Sequence, residues 1–445
     1  GHLSSVAINE NTFQQQYESS RQQDVAQDSK AEQYPIGKGK GKGGKRGPWS
    51  REEESVNNDS VKAAIEHALT SIVLPTVSEP LSIQGPALVE GEVEPSRKKS
   101  KLMESSQLHV EENDLVDYQG RSWFTGPSDR RARSGFTCTI PKKKLHSCLG
   151  HTKGISRLLF YPGTGHLLLS ASMDGTARLW DVYKHGEVCR SYKTPFGKGM
   201  RDISFSSDGK HFLSASFDGY MRQWDTETGA CVFTYRHQKS PLCITYSTGQ
   251  EFLAGCQDKK ILQLDLRSGD IVQEYAQHMG GINSVTMLDE NRRFISSSDD
   301  KTMRVWEYGI PVVIKMMSDP TMHSMPVVRP VHSEKYLACQ SMDNKIVLYH
   351  ADGRYALNKK KQFKGHNVAG YACGLEGSPD GAYVASGDSS GSLFIWEWKS
   401  SRIAHVLKNI HQGALMGLSW NPREESMVAT GGWDGAIHLW ESRSA

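Results

Sequence analysis

The sequence predicts an all-β fold, a seven-bladed propeller preceded by a largely disordered N-terminal extension, on three observations. First, a unit typified by residues 170–181, SASMDGTARLWD, recurs in variant form seven times after Pro141. Its Asp174-Gly175 pair between alternating runs is a strong hairpin signal, because glycine supplies the positive φ that such a turn needs. Second, the closing positions of the units are Trp180, Trp224, Leu264, Trp306, Tyr349, Trp396 and Trp440, spaced by 44, 40, 42, 43, 47 and 44 residues. A period in the low forties with four short strand signals per unit is the mark of blades around a ring. Third, composition changes at Pro141. The 140 residues before it hold two of the ten tryptophans and 17 Lys and Arg against 20 Asp and Glu, whereas 36 face 30 in the remainder.

Residues 1–140 are therefore expected to be a mostly disordered basic and acidic extension, and 141–445 the propeller. A hydrophobic content of 37% fits a chain that is only partly packed. The net charge of +3 does not by itself imply nucleic acid. Cysteines stand at 138, 148, 189, 231, 243, 256, 339 and 373 without a C-x-x-C pair, which argues for a reducing compartment and against a disulfide framework or zinc ribbon. No apolar run reaches the length of about 18 residues needed for a spanning helix. The first residue is Gly1 rather than methionine, as in a fragment.

Within the extension, residues 1–36 are rich in Gln, Ser, Asp and Glu without periodicity and read as disordered. Glycines then alternate with Lys38, Lys40, Lys42 and Lys45 before Arg46, making either a flexible basic linker or a segment whose charges track phosphates. Gly39, Gly44 and Lys45 fit G-x-x-x-x-G-K, but Arg46 stands where a magnesium-binding hydroxyl is needed and no strand precedes it. Val61, Ala64, Ile65, Ala68 and Leu69 form one apolar stripe behind an Asp59 or Ser60 cap, predicting a short helix near 60–69 that is marginal alone. Residues 75–95, with four prolines and four glutamates, read as linker. Arg97, Lys98, Lys99 and Lys101 form a cluster suited to nuclear import or RNA contact. Residues 117–124, DYQGRSWF, return aromatics to a polar tail and suggest a docking anchor. Arg130, Arg131 and Arg133 follow as further candidate RNA or import contacts.

In the array, Asp174, Asp218, Asp258, Asp300, Asp343 and Asp434 stand six residues before their closing positions, with Ser390 in the sixth unit. Four residues earlier come Ser170, Ser214, Ala254, Ser296, Cys339, Ser386 and Thr430, and His151, His278, His366 and His411 lie 22 to 24 residues before the Asp position. Three units carry the full set: His151, Ser170, Asp174 and Trp180; His278, Ser296, Asp300 and Trp306; His411, Thr430, Asp434 and Trp440. These four side chains can form a buried network that fixes loop to sheet. A catalytic Ser-His-Asp set is the alternative, and its repetition around a ring argues against it. The second unit has Phe196 near the His position, and the third and fifth lack both His and the closing Trp. Gly387, Ser389 and Gly391 fit G-x-S-x-G, but a turn between two strands replaces the strand-turn-helix context of a nucleophile elbow. With no H-E-x-x-H, dinucleotide fingerprint or EF-hand loop either, no catalytic residue, metal ligand or cofactor is expected.

Gly150-His151, Trp180-Asp181, Trp224-Asp225, Gly365-His366 and Trp440-Glu441 resemble the signature of WD40 repeats over residues 145–441. The resemblance implies that residues 145–149 pair with the sheet closing at Trp440 and fasten the ring. It also implies that the residue before each turn Asp lies on the top face, where Met173, Phe217, Met342 and Trp433 form a candidate partner-binding patch. Asn358, Lys359, Lys360 and Lys361 add a basic spot at one blade's edge, suited to phosphate or simply solvated. Leu264, Asp265 and Arg267 half-match the W-D-x-R motif of cullin ubiquitin ligase receptors, which keeps a substrate receptor or a generic scaffold open as alternatives.

Strings outside the propeller pattern narrow the resemblance. Residues 117–122 (DYQGRS), 289–294 (DENRRF), 322–326 (MHSMP), 340–344 (QSMDN), 365–371 (GHNVAGY) and 47–49 (GPW) resemble the pre-mRNA-processing factor 17 family. That resemblance implies a nuclear, non-enzymatic splicing factor, a scaffold stabilising the spliceosome for its second step, exon ligation. The implied partners are the Prp19-associated complex and second-step factors, in proximity to the U2, U5 and U6 RNAs and the pre-mRNA. The chain would be a monomer within a large ribonucleoprotein, without membrane contact.

Overall fold

The computed structural model describes residues 105–110, 122–126, 137–247, 250–332 and 334–442, all within a compact unit spanning Leu102–Ala445. Lys38, Lys40, Lys42, Lys45 and Arg46, the helix expected near 60–69, Arg97, Lys98, Lys99 and Lys101, and Arg130, Arg131 and Arg133 lie outside the described residues.

Seven antiparallel sheets are present among the described residues. After β1 (Ser105–Leu108) and β2 (Lys143–Cys148), the first blade is built from β3 (Ile155–Phe160), β4 (Leu167–Ser172), β5 (Thr176–Asp181) and β6 (Val188–Lys193). Blade 2 runs from β7 (Met200–Phe205) to β10 (Cys231–Arg236), blade 3 from β11 (Pro241–Tyr246) to β14 (Ile271–Tyr275), and blade 4 from β15 (Ile282–Leu288) to β18 (Ile310–Met317). Blade 5 runs from β19 (Val327–Val331) to β22 (Leu357–Lys364), and blade 6 from β23 (Leu375–Gly377) to β26 (Ile403–Leu407). Blade 7 combines β27 (Leu415–Trp420), β28 (Val428–Gly432) and β29 (Ile437–Glu441) with β2 as its outer strand. The seven innermost strands touch one another in order, and β27 returns to β3, closing the ring. The expected latch is the β2–β29 pair, with Lys144 opposite Trp440 and Cys148 opposite Ile437.

Packing explains the strand sequences. All six residues of β4, LLLSAS, are buried, because a strand inside a blade is covered on both faces by neighbouring blades. The outer strand β10 instead alternates half-buried and exposed residues. Closing tryptophans seal the seams. Trp224 stacks on Phe212 at 6.4 Å and meets Tyr192 of the preceding blade edge-on at 5.6 Å. Fully burying a side chain of this size contributes on the order of 3 kcal/mol. The β4–β5 turn requires glycine for two reasons. Gly175 has φ +83°, and a methyl group there would lie 2.8 Å from the Lys198 carbonyl oxygen of the next loop.

The described parts of the extension lie on the propeller. β1 adds a fifth strand to blade 1 by pairing with β6, Ser105 opposite Lys193 and Leu108 opposite Arg190. The aromatic anchor docks on the chain's own first two blades: Phe124 meets Tyr161 edge-on at 5.3 Å, and His166 Nε2 donates to the Phe124 carbonyl at 3.1 Å. Trp123 and Phe124 both pack against the cluster that joins these blades. Cys138 is buried, and its N–H donates to Asp380 of the sixth blade at 2.7 Å.

Candidate functional site

In blade 1, His151 lies 2.9 Å from Asp174 through Nδ1 and 2.8 Å from Ser170 Oγ through Nε2, and the Trp180 indole donates to the same hydroxyl at 2.8 Å. A carboxylate only accepts, so Nδ1 carries the proton; Nε2 then accepts from Ser170, whose oxygen accepts from the indole. Blade 4 repeats this with His278, Asp300 (2.9 Å), Ser296 (2.7 Å) and Trp306 (2.8 Å). Blade 7 does so with His411, Asp434 (3.2 Å), Thr430 (2.9 Å) and Trp440 (2.9 Å). Burial pushes the Asp174 carboxyl up, but hydrogen bonds from His151, Thr176 and Thr152 outweigh it and hold the group well below the usual carboxylate range. The same balance brings Asp434 to about 2. Ser170, Ser296 and Thr430 are 0% exposed. Each hydroxyl is sealed from substrate and engaged by an indole, so these triad-like sets cannot deliver a nucleophile and instead tie each loop to its sheet.

The remaining blades replace the network in different ways. In blade 2 the space is filled by Arg222, which donates to Asp218 at 2.8 Å with both side chains almost fully buried. Phe196, expected near the His position, is 52% exposed and stacks on Tyr220. Blade 3 corrects the expectation that its histidine is lost: His237 lies 2.8 Å from Asp258. It stands 21 residues before that Asp and follows Arg236 rather than glycine, which hid it from the pattern. His237, Cys256 and Asp258 gather their ligand atoms within 4.8 Å of one another. Burial pushes the Cys256 thiol well up, which disfavours a thiolate ligand, and the cluster is accounted for by the His–Asp pair. In blade 5 Asp343 pairs with Lys345 at 2.6 Å. Blade 6 shifts its turn acid by two residues. Asp388 accepts from the N–H groups of Ser390 and Ser392 at 2.9 and 2.7 Å. His366 in that blade is 3% exposed, neither ring nitrogen has a hydrogen-bond partner among the described residues, and burial pulls its pKa down to about 4.

Met173, Phe217, Met342 and Trp433 occupy one repeated place. Their backbone N–H groups donate to Gly154, Gly199, Ser324 and Ala414 at 2.9, 3.0, 3.2 and 2.9 Å. All four side chains are half-buried. Trp433 nests against Gly154, where a methyl group would lie 3.1 Å from its ring. Below this rim the innermost strands line a central cavity of about 330 Å³ containing Arg157, Arg201, Arg329, Asp202 and Glu376. Arg157 approaches Asp202 at 3.5 Å, and burial raises the Glu376 carboxyl to about 7 against the pull of Arg157. These charges follow no repeated offset along the blades, Arg201 and Asp202 standing together in β7 and the others singly in their strands, so no periodic pattern marks them.

Residues 142–181, 186–225, 269–307, 357–397 and 404–441 match the model of the WD domain, G-beta repeat. The stretches between these matches hold the first three strands of blades 3 and 5, whose networks have lost both hydroxyl and indole (Ala254 and Leu264, Cys339 and Tyr349). The chain is 48% identical over 347 residues to human Pre-mRNA-processing factor 17, covering 76% of the chain and 59% of that relative. It therefore spans about three fifths of the human protein's length. Over 353 residues it is 37% identical to the Saccharomyces cerevisiae protein of the same name, covering 76% of the chain and 77% of the relative. Mouse WD repeat-containing protein 25 is 26% identical over 313 residues, covering 68% of the chain and 58% of that relative. With its repeats in a closed seven-bladed ring and more than three quarters of the yeast relative aligned to it, the chain belongs to the pre-mRNA-processing factor 17 family.

Proposed function

We propose that this protein is a nuclear, non-enzymatic splicing factor that holds the spliceosome in the arrangement needed for exon ligation. The observation that carries this reading is the 48% identity to human Pre-mRNA-processing factor 17 over 347 residues. The sealed hydroxyls of blades 1, 4 and 7 agree with a role in assembly rather than turnover. A rigid ring with Met173, Phe217, Met342 and Trp433 grouped on its rim offers a protein seat, and half-buried apolar side chains on a rigid frame suit partner contacts. Partners on this reading are the Prp19-associated complex and second-step factors, with U2, U5 and U6 RNAs and pre-mRNA nearby. Splicing extract depleted of the protein should accumulate cleaved exon and lariat intermediate, and adding back the full chain should restore ligated exons. Unchanged exon ligation after depletion would overturn the reading, and co-purification with a cullin adaptor in place of small nuclear RNAs would favour a ligase receptor.

A further inference from the structure

The outer strand of blade 5 and the turn leading into the outer strand of blade 6 form a groove of about 540 Å³ with a one-sided chemistry. Its walls are Lys359, Lys360, Gln362 and Lys364 on β22, and Ser401, Arg402 and Ile403 opposite them. Four of these seven residues are cations and none is an acid. Lys359, Lys360, Lys364 and Arg402 are all exposed, and none of them forms an ion pair among the described residues. The lysine ion pairs among the described residues, Lys260 with Glu274 at 2.8 Å and Lys345 with Asp343 at 2.6 Å, lie outside the groove. The wall is also rigid. Lys361 reaches from β22 to the Trp398 carbonyl, with its ammonium 4.3 Å from the centre of that indole. The Trp396 indole donates to the Lys364 carbonyl at 3.1 Å. β22 is thus pinned to blade 6 at two points, and its unpaired cations are held in place rather than on a loose loop.

We propose that this groove binds the sugar–phosphate backbone of single-stranded RNA. Alternate residues of a strand lie about 7 Å apart, so Gln362 and Lys364, in the regularly paired end of β22, present donors at the interval of successive phosphates on an extended strand, and Lys359 and Lys360 add charge from the bulge before them. Phosphate recognition needs unpaired cations and hydrogen-bond donors, which is nearly all that the groove contains. An acidic peptide would need apolar pockets for its anchoring side chains, and Ile403 is the one aliphatic residue in the lining. Trp398 is 7% exposed and already covered by Lys361, so no ring is free to stack on bases, and the site reads backbone without sequence preference. The choice of RNA over DNA rests on the function proposed above; the phosphate chemistry does not.

The test uses the full chain, fluorescein-labelled oligouridine and fluorescence anisotropy at several salt concentrations. The triple variant K359A/K360A/R402A should bind at least about tenfold more weakly at low salt, with the slope of log affinity against log salt flattened by about 2, at about 0.7 per lost contact. K359R/K360R should keep wild-type binding, which separates loss of charge from misfolding. Oligouridine carrying 4-thiouridine should crosslink to residues 357–364 and 401–403. Unchanged affinity and slope in the triple variant, or crosslinks confined to other regions, would overturn the proposal. So would a triple variant that loses binding to polyglutamate but not to oligouridine. Such a failure leaves the splicing role intact if the variant still restores exon ligation to depleted extract. Absence of the whole protein from splicing complexes would instead remove the function and leave the phosphate site standing.

Discussion

Replacing Asp174 by alanine tests whether the histidine networks bear weight, and the structure ranks its effect against the matching change in blade 7. Asp174 accepts from His151 at 2.9 Å, from the N–H groups of Thr152 and Thr176 at 3.2 and 2.8 Å, and from the Thr176 hydroxyl at 2.6 Å. Asp434 accepts from His411 at 3.2 Å and from the N–H groups of Gln412 and Ala436 at 2.9 and 3.0 Å, with no hydroxyl because Ala436 stands where Thr176 does. Their side chains are 7% and 19% exposed. The main loss in either variant is a buried imidazole N–H left without an acceptor, worth roughly 1–3 kcal/mol. Asp174→Ala also takes the acceptor from the Thr176 hydroxyl in the drier of the two sites, and that hydroxyl, 3.3 Å from His151 Nδ1, recovers only part of the lost imidazole bond, so the variant is expected to cost about 3 kcal/mol and Asp434→Ala about 2. Hydrogen exchange in the β4–β5 and β28–β29 hairpins, with urea midpoints beside it, reads each blade separately. A network that merely decorates the fold would leave both hairpins protected as in wild type. An equal or larger effect at Asp434 would refute the ranking.

Breaking the buried pair of blade 2 by Arg222→Ala should destabilise the protein by about 3–5 kcal/mol because Asp218 is left uncompensated, whereas Arg222→Met with Asp218→Leu should cost less than either single loss; denaturant midpoints of the three variants decide it. Acid should also weaken the ring well above the carboxylate range. Burial pulls His366 to about 4, and burial, then His411 and Lys144, bring His438 to about 4 as well. The unfolded chain takes up these protons near pH 6.5 and the folded one only near 4. Their contribution is therefore full above pH 6.5 and lost as pH falls to 4, by up to about 3 kcal/mol for buried His366 and by less for half-buried His438, where solvent screens the charge. His366→Phe, which keeps the ring against Trp396 and Phe394, should flatten part of that slope in melting temperatures taken from pH 7 to 4, and an unchanged slope would remove His366 as its source.

How much of this was legible in the sequence depended on whether a feature repeats. The seven blades and the β2–β29 latch follow from a period in the low forties, and the three full networks from residue types at fixed offsets along it. Where an offset slips, the pattern fails. Asp388 stands two places up its turn, so the fixed offset meets Ser390 instead of an acid, and His237 lacks the glycine that marks its kin. Arg222 was invisible because a cation doing a histidine's work shares no letter with it. The anchor Trp123 and Phe124 stood out as aromatics in a polar tail, but their seat on Tyr161 and His166 is made by a different stretch of chain. The cationic groove joins β22 to a turn some forty residues further on, and only packing brings the two walls together.

The latch has a consequence for how the protein comes into being. Residues 143–148 wait for residues 437–441, so at roughly 5–20 residues per second a ribosome leaves this strand unmatched for about 15 to 60 seconds. Closing about 290 residues as one flexible loop would cost on the order of 5 kcal/mol in chain entropy, and the blades that pack in order between the two strands shorten that span before the latch forms. Leu145 and Leu149 are 47% and 70% exposed even in the finished ring, and throughout that interval the backbone beside them is open to any passing strand. A newborn chain is thus an open bracelet with a sticky clasp until its last strand arrives.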